Sequence, residues 1–215
     1  MAVVHLFQIF IKYDNNMKYS DFRKNIGGPL FTSQDIRLAG GKVFAYQLSL
    51  WQKQGHIIKL KNEVYLFGDK VNDLAPEEAA GALYGPSYVS MEKALSVYGL
   101  IPEMVYSITM ITPRTTRSYK TKIGSFIFRH VKPDLFFGYK QSQGKSRAYL
   151  LAEPEKALLD VLYLNRIRDA SGLESLRLNW RLAAELINKK KFKEYLDKYN
   201  SKSMLRIGAL ILGKI

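Results

Sequence analysis

Lys42-Val43-Phe44-Ala45-Tyr46-Gln47-Leu48-Ser49-Leu50-Trp51-Gln52-Lys53-Gln54-Gly55-His56-Ile57-Ile58-Lys59-Leu60-Lys61-Asn62-Glu63-Val64-Tyr65-Leu66-Phe67 changes its hydrophobic period once, at Gly55. Before that glycine, Phe44, Leu48 and Trp51 recur at i, i+4 and i+7, which predicts a helix from about Lys42 to Gln54 with these three facing inward. At about 100° per residue, Lys42, Tyr46, Ser49 and Lys53 gather on the opposite face. After Gly55 the period is two. Ile58, Leu60, Val64 and Leu66 are strand candidates on either side of Lys61-Asn62-Glu63, and Asn62 is the residue expected to take the positive φ of a hairpin turn.

Working back from this stretch, Phe22, Ile26 and Leu30 suggest a short first helix in YSDFRKNI, ended by Gly27-Gly28-Pro29. Thr32 or Ser33 caps a second helix with Asp35 in its first turn and Ile36 inward, and Ala39-Gly40-Gly41 makes a tight turn. Helix, helix, turn, helix and hairpin in this order is the winged helix-turn-helix arrangement. A DNA major groove admits one α-helix, whose outward side chains meet base edges while nearby cations neutralise phosphates. Tyr46, Gln47, Ser49 and Lys42 are therefore the candidates for reading bases. Lys53, Lys59 and Lys61 are the candidates for holding phosphates, with Asn62 at the turn completing the set. The alternative is a protein-interaction module whose winged helix docks a partner protein without specific DNA binding.

Beyond a polar link at Lys70 to Asn72, a second unit opens with Pro76 at a helix N1 position and Glu77 and Glu78 in its first turn. Gly85-Pro86 marks a turn. Ser90 then sits where an N-cap belongs, Met91, Ala94, Leu95 and Tyr98 make one apolar stripe, and Gly99 and Pro102 close the helix. Val105 to Ala152 reads as strands, with Lys120, Lys122, Arg129 and Lys140 on the polar side of a small sheet. Pro154 opens a helix so apolar that it is expected at the centre of this unit. Helical stretches follow at Leu173–Leu178, Trp180–Lys189, Phe192–Tyr199 and Ser203–Leu212, and the cluster Lys189 to Lys193 is expected where cations suit a helix dipole. The fold class is thus α+β: a winged helix-turn-helix over residues 1–70, and a mixed α+β domain with a small sheet and several helices over 71–215.

Two separated segments carry a family resemblance. SYVSMEKALSVYGLIPE (Ser87 to Glu103) and AEPEKALLDVLYL (Ala152 to Leu164) resemble the AbiEi-type antitoxins and transcriptional regulators of bacterial abortive-infection toxin–antitoxin systems. LSLWQKQGHIIKLKNEVYLF (Leu48 to Phe67) is similar to the N-terminal domain of that family, although the family usually carries a glycine where this chain has Asn62-Glu63. The resemblance spans roughly residues 18–212, beginning after Met17, a candidate start. It implies a repressor of its own operon acting on repeated operator DNA through the winged helix. It also implies a C-terminal domain that counters a nucleotidyltransferase-type toxin encoded next door, with or without a stable complex.

Composition narrows the other classes. The 215 residues carry a formal charge of +14 with no cysteine, which favours a polyanionic partner and excludes disulfides and thiol chemistry. The charge is uneven: residues 1–70 hold 10 Lys and Arg against 5 Asp and Glu, residues 71–155 hold 10 against 8, and residues 156–215 hold 13 against 6. A cytoplasmic protein without a membrane span is expected, and the apolar start MAVVHLFQIFI reads as an extra amphipathic helix within residues 1–16 rather than a signal peptide. Glu153, Glu155, Lys156 and Asp160 invite a nuclease reading, but Glu155 and Asp160 lie about 140° apart around a helix. His5, His56 and His130 lack ligand spacing. No catalytic residues, cofactor or metal are expected.

Overall fold

The computed structural model describes residues 17–40, 42–102 and 106–215. The helix expected within residues 1–16 lies outside them. The chain divides into two compact units between Leu74 and Ala75. It is a mixed α+β protein with one three-stranded antiparallel sheet and one six-stranded mixed sheet.

The first unit runs α1 (Tyr19–Asn25), β1 (Leu30–Thr32), α2 (Ser33–Leu38), α3 (Ala45–Lys53), β2 (Ile57–Lys61) and β3 (Val64–Phe67), then a 3₁₀ turn at Gly68–Asp73. β3 is the central strand, antiparallel to β1 and to β2. Thr32 ends β1 and caps α2: its Oγ1 accepts from the Asp35 N–H, and Asp35 Oδ2 accepts from the Thr32 N–H at 2.6 Å. The core is aromatic. Phe22 of α1 stacks on Trp51 of α3 with ring centroids 4.9 Å apart, and Phe31 of β1 lies 4.7 Å from Phe67 of β3. Such pairs contribute about 0.5–1.5 kcal/mol each beyond their burial.

Several expectations for this unit are corrected. Leu30 belongs to a strand, because it follows Pro29 in extended backbone and pairs with Leu66. α3 begins at Ala45, so Lys42 precedes the helix, and Phe44 is its half-buried N-cap residue. The hairpin turn takes its positive φ at Glu63 (+65°), not at Asn62. In β2, Ile57 and Leu60 are buried in place of the alternating pair Ile58 and Leu60. The register shifts between Lys59 and Lys61, and the extra residue changes the phase of the strand.

The second unit contains α4 (Pro76–Tyr84), β4 (Tyr88–Val89), α5 (Met91–Val97), β5 (Ser107–Thr112), β6 (Arg117–Thr121) and β7 (Gly124–His130). These are followed by β8 (Tyr139–Ser142), β9 (Tyr149–Ala152) and α6 (Pro154–Leu164), and then α7 (Ala170–Ser175), α8 (Trp180–Leu186), α9 (Lys189–Asp197) and α10 (Lys202–Leu212). The sheet order is β6-β7-β5-β4-β9-β8, with β5 parallel to β7, β4 parallel to β9, and antiparallel pairs elsewhere. Pro154 starts α6, and every residue from Glu155 to Leu162 is buried, so this helix is the unit's centre. Gly99 follows α5 with a φ of +70°, a conformation that favours glycine.

Two local expectations are overturned here as well. Lys189, Lys190 and Lys191 form the first turn of α9, the end that disfavours cations; the Asn188 side-chain cap and the Lys191–Glu153 ion pair at 3.0 Å offset this. The span Val105 to Ala152, expected as strands, is interrupted: Pro133–Leu135 forms a 3₁₀ turn and the next strand, β8, begins only at Tyr139. Among the described residues, no helix is long and apolar enough to cross a membrane.

Candidate nucleic-acid interface and the buried polar cluster

α3 exposes one stripe along its length. Tyr46, Ser49, Leu50 and Lys53 fall at i, i+3, i+4 and i+7 and are all exposed, Tyr46 at 55% and Leu50 at 48%. Three of the residues selected from sequence, Tyr46, Ser49 and Lys53, therefore share a face. A serine hydroxyl, a phenol and an ammonium along one free helix face can donate to and accept from base edges and phosphates. Among the described residues this stripe is left uncovered, while Trp51 and Gln47 turn the other side of α3 into the core.

Gln47 does not belong to that face. It is 6% exposed, and both ends of its amide are committed. Oε1 accepts from the Phe44 N–H at 3.0 Å, satisfying a free donor of the helix N-terminus, while Nε2 donates to the Met17 carbonyl at 2.9 Å. Its role is to start α3 and to fasten the chain ahead of α1. A position 100° around the helix from Tyr46 was already close to the Trp51 side, which is the signal in sequence that marks it as inward.

The remaining candidates flank the stripe without joining it. Lys42 is exposed before the helix, with its Nζ 5.0 Å from the centre of the Phe44 ring, and Phe44 stacks on Tyr46 at 5.9 Å. A cation, two rings and the start of α3 thus form one continuous group. In the hairpin, Lys59 and Asn62 are exposed and Lys61 is half-buried. Lys59 stands opposite Tyr65 in the ladder, and Lys61 opposite Val64.

A different constellation lies at the centre of the second unit, where Tyr88 and Ser90 meet Lys156 and Asp160 of α6 and Tyr199. Asp160 is fully buried. Its Oδ2 accepts from Ser90 Oγ at 2.7 Å and from the Tyr88 hydroxyl at 3.1 Å. Its Oδ1 accepts from Lys156 Nζ, one helical turn away on α6, and from the Tyr199 hydroxyl at 3.1 Å. Lys156 Nζ also donates to Tyr199 at 2.8 Å. Ser90 occupies the N-cap position of α5, but its hydroxyl serves Asp160 rather than the helix end, and Met91 beside it takes a left-handed φ of +57°.

Electrostatics follow from that burial. Desolvation holds the Lys156 ammonium below its ordinary range, against the opposing pull of Asp160. Desolvation and the Asp160 charge push the Tyr88 and Tyr199 phenols far above theirs. Each polar side chain around Asp160 has a hydrogen-bond partner and the group is buried from solvent. It locks β4, α6 and the segment ending α9 together. Lys156 and Asp160 on a largely apolar helix were visible in sequence as an i, i+4 pair; the three hydroxyls that complete the cluster were not.

Among the described residues, no group of three or more His, Cys, Asp or Glu is arranged to hold a metal ion. Glu153 is held by Lys191 at 3.0 Å and by the Tyr195 hydroxyl, and Glu155 Oε1 accepts from the Asn188 N–H at 2.8 Å. Comparison of the sequence with models of known protein families gave no match, and comparison with curated proteins gave none either.

Proposed function

We propose that the first unit is a winged helix-turn-helix that binds double-stranded DNA, with α3 as the helix entering the major groove and the β2–β3 hairpin as the wing. The observation that carries this is the single exposed stripe of Tyr46, Ser49 and Lys53, on a chain with a formal charge of +14. Base contacts are assigned to Tyr46 and Ser49. Phosphate contacts are assigned to Lys53 at the helix end, to Lys59 and Lys61 in the hairpin, and to Lys42 before the helix. Gln47 supports this surface from behind.

The resemblance to AbiEi-type antitoxins extends the proposal. The protein is a cytoplasmic, non-enzymatic repressor of its own operon, and its second unit counters a nucleotidyltransferase-type toxin from the adjacent gene. The test of this half is growth: co-expression of the full chain with that gene product rescues cells if the reading holds and leaves them arrested if it fails.

One observation favours a second reading for the first unit. Tyr46 and Leu50 put two large side chains with apolar surface on the exposed stripe, which also suits docking of a partner protein. Anisotropy of labelled upstream duplex with Lys53→Ala and Lys59→Ala decides. A DNA-binding surface loses affinity and about one unit of salt slope per lysine removed, whereas a docking surface loses neither.

A further inference from the structure

A cleft of about 570 Å³ opens in the second unit where the end of β7 meets the C-terminal end of α6. Its lining includes Arg129, His130, Lys132, Tyr163, Arg166 and Arg168, and no carboxylate. Four permanent cations thus share one concave surface. Among the described residues none of the four forms an ion pair. The neighbouring acids are engaged elsewhere: Glu92 accepts from Asn165 at 2.7 Å, and Asp169 caps α7 through the Gly172 N–H at 2.8 Å.

The two half-buried guanidiniums are held in place. Arg129 reaches the Leu164 carbonyl at 3.1 Å and Asn165 Oδ1 at 3.5 Å, and Arg168 reaches the Leu162 carbonyl at 3.0 Å and the Ile167 carbonyl at 3.1 Å. These bonds satisfy carbonyls at and just beyond the α6 C-terminus, which accounts for two cations there. They do not account for Lys132 and Arg166, which are exposed on the same cleft and repel the fixed pair. A guanidinium has five N–H donors, so Arg129 and Arg168 each keep donors free in a fixed orientation. Tyr163 adds a half-buried ring, braced edge-on by Tyr199 with centroids 5.2 Å apart.

We propose that this cleft binds the phosphate group of a nucleotide, with Arg129 and Arg168 as the pre-oriented donors, Lys132 and Arg166 closing on the anion from the rim, and Tyr163 offering a face to the base. The volume falls within the range of about 300–1,000 Å³ typical of small-molecule sites. Fixed guanidinium forks beside an aromatic ring match phosphate and base together. The same chemistry is presented by a free nucleotide and by the phosphorylated end of an RNA strand. This site is separate from the DNA surface proposed for the first unit.

The test is calorimetric titration of the full chain at low salt with three probes: ATP, a 5′-phosphorylated RNA hexamer and the same hexamer with a 5′-hydroxyl. The variants are K132A/R166A, which removes only exposed side chains, and K189A/K190A, which removes the same charge from the exposed start of α9. Saturable binding of ATP or of the phosphorylated hexamer is expected. It should be weakened about tenfold or more for each cation lost in K132A/R166A, the scale of a charge-assisted hydrogen bond, and little in K189A/K190A. Preference for ATP identifies a free nucleotide as the ligand, and preference for the phosphorylated hexamer identifies a strand end. K53A/K59A should keep this binding while losing duplex DNA. Equal weakening in K132A/R166A and K189A/K190A would overturn the proposal, as would indifference to the 5′-phosphate together with no binding of ATP.

Discussion

Ser90 Oγ donates to Asp160 Oδ2 at 2.7 Å across 70 residues of sequence. The bond joins the start of α5 to the middle of α6 and places a hydroxyl with every appearance of a helix cap inside a buried ionic cluster. Removing the carboxylate leaves Lys156 as an uncompensated buried charge. Asp160→Ala should therefore cost about 3–5 kcal/mol of stability in chemical denaturation. Lys156→Met combined with Asp160→Ala should cost less than the sum of the two single changes, by about 1–3 kcal/mol. Additive losses would show that the two groups are not coupled.

Glu78 is a comparable device elsewhere in the second unit. Its buried carboxylate accepts from the N–H groups of Ala75 and Lys145 through Oε1, at 2.9 and 2.6 Å. Through Oε2 it accepts from Ser146 and Arg147, at 3.1 and 2.8 Å. Glu78→Gln brings an NH₂ group against these donors and should lower stability by about 2–3 kcal/mol. Hydrogen exchange should quicken at residues 145–147; a variant as stable and as protected as the parent would contradict this role.

The neighbours Tyr46 and Gln47 should separate cleanly. Gln47→Ala removes the bonds to Phe44 and Met17 and should cost about 1–2 kcal/mol in thermal or chemical unfolding. Tyr46→Ala should leave stability nearly unchanged, because that side chain is 55% exposed, yet weaken duplex binding. The opposite pattern would mean that the helix is turned differently from the one described.

Alkaline stability tests the buried phenols. Burial, with the charges of Glu153 and Glu155 adding to it, pushes the Tyr98 phenol up to about 12 from an ordinary value of 10.0. Below pH 10 both states keep the proton. Between about 10 and 12 the unfolded chain loses it while the folded chain holds it, so stability falls as pH rises through that window. Lys156 acts with the opposite sign below its unfolded value of 10.5, because burial lowers its folded value. Tyrosinate absorbance should show Tyr88, Tyr98, Tyr195 and Tyr199 ionising later in the folded protein than in the unfolded chain. A single sharp titration of all tyrosines in the folded protein would exclude this arrangement.

Much of the architecture was legible in local chemistry. Thr32, Pro76, Pro154 and Gly99 mark helix ends that need only neighbouring residues, and the change of period at Gly55 separates α3 from its hairpin without tertiary information. The apolar run after Pro154 announced a central helix. What escaped depends on partners distant in sequence or on one-residue shifts. The extra residue in β2 puts Ile57 rather than Ile58 inward beside Leu60, and periodicity cannot register a bulge. Leu30–Thr32 is too short to show alternation and exists as a strand because β3 pairs with it. On α3, an inward glutamine was misread because polar residues are ordinarily outward, whereas here the amide closes the helix start. The basic cleft draws cations from β7, from the segment after it and from the residues following α6, so no single stretch displays it.

The most direct measurement is fluorescence anisotropy of the full chain with duplex from just upstream of its gene, against scrambled duplex, at two salt concentrations. Site-specific recognition through α3 predicts binding about a hundredfold or more tighter to the native duplex, with Tyr46→Ala and Ser49→Ala reducing that preference. It also predicts a salt slope that shrinks when Lys53 or Lys59 is removed. Equal, weak and salt-sensitive binding to both duplexes, unchanged by these substitutions, would contradict the account and make the α3 stripe a surface for a protein partner.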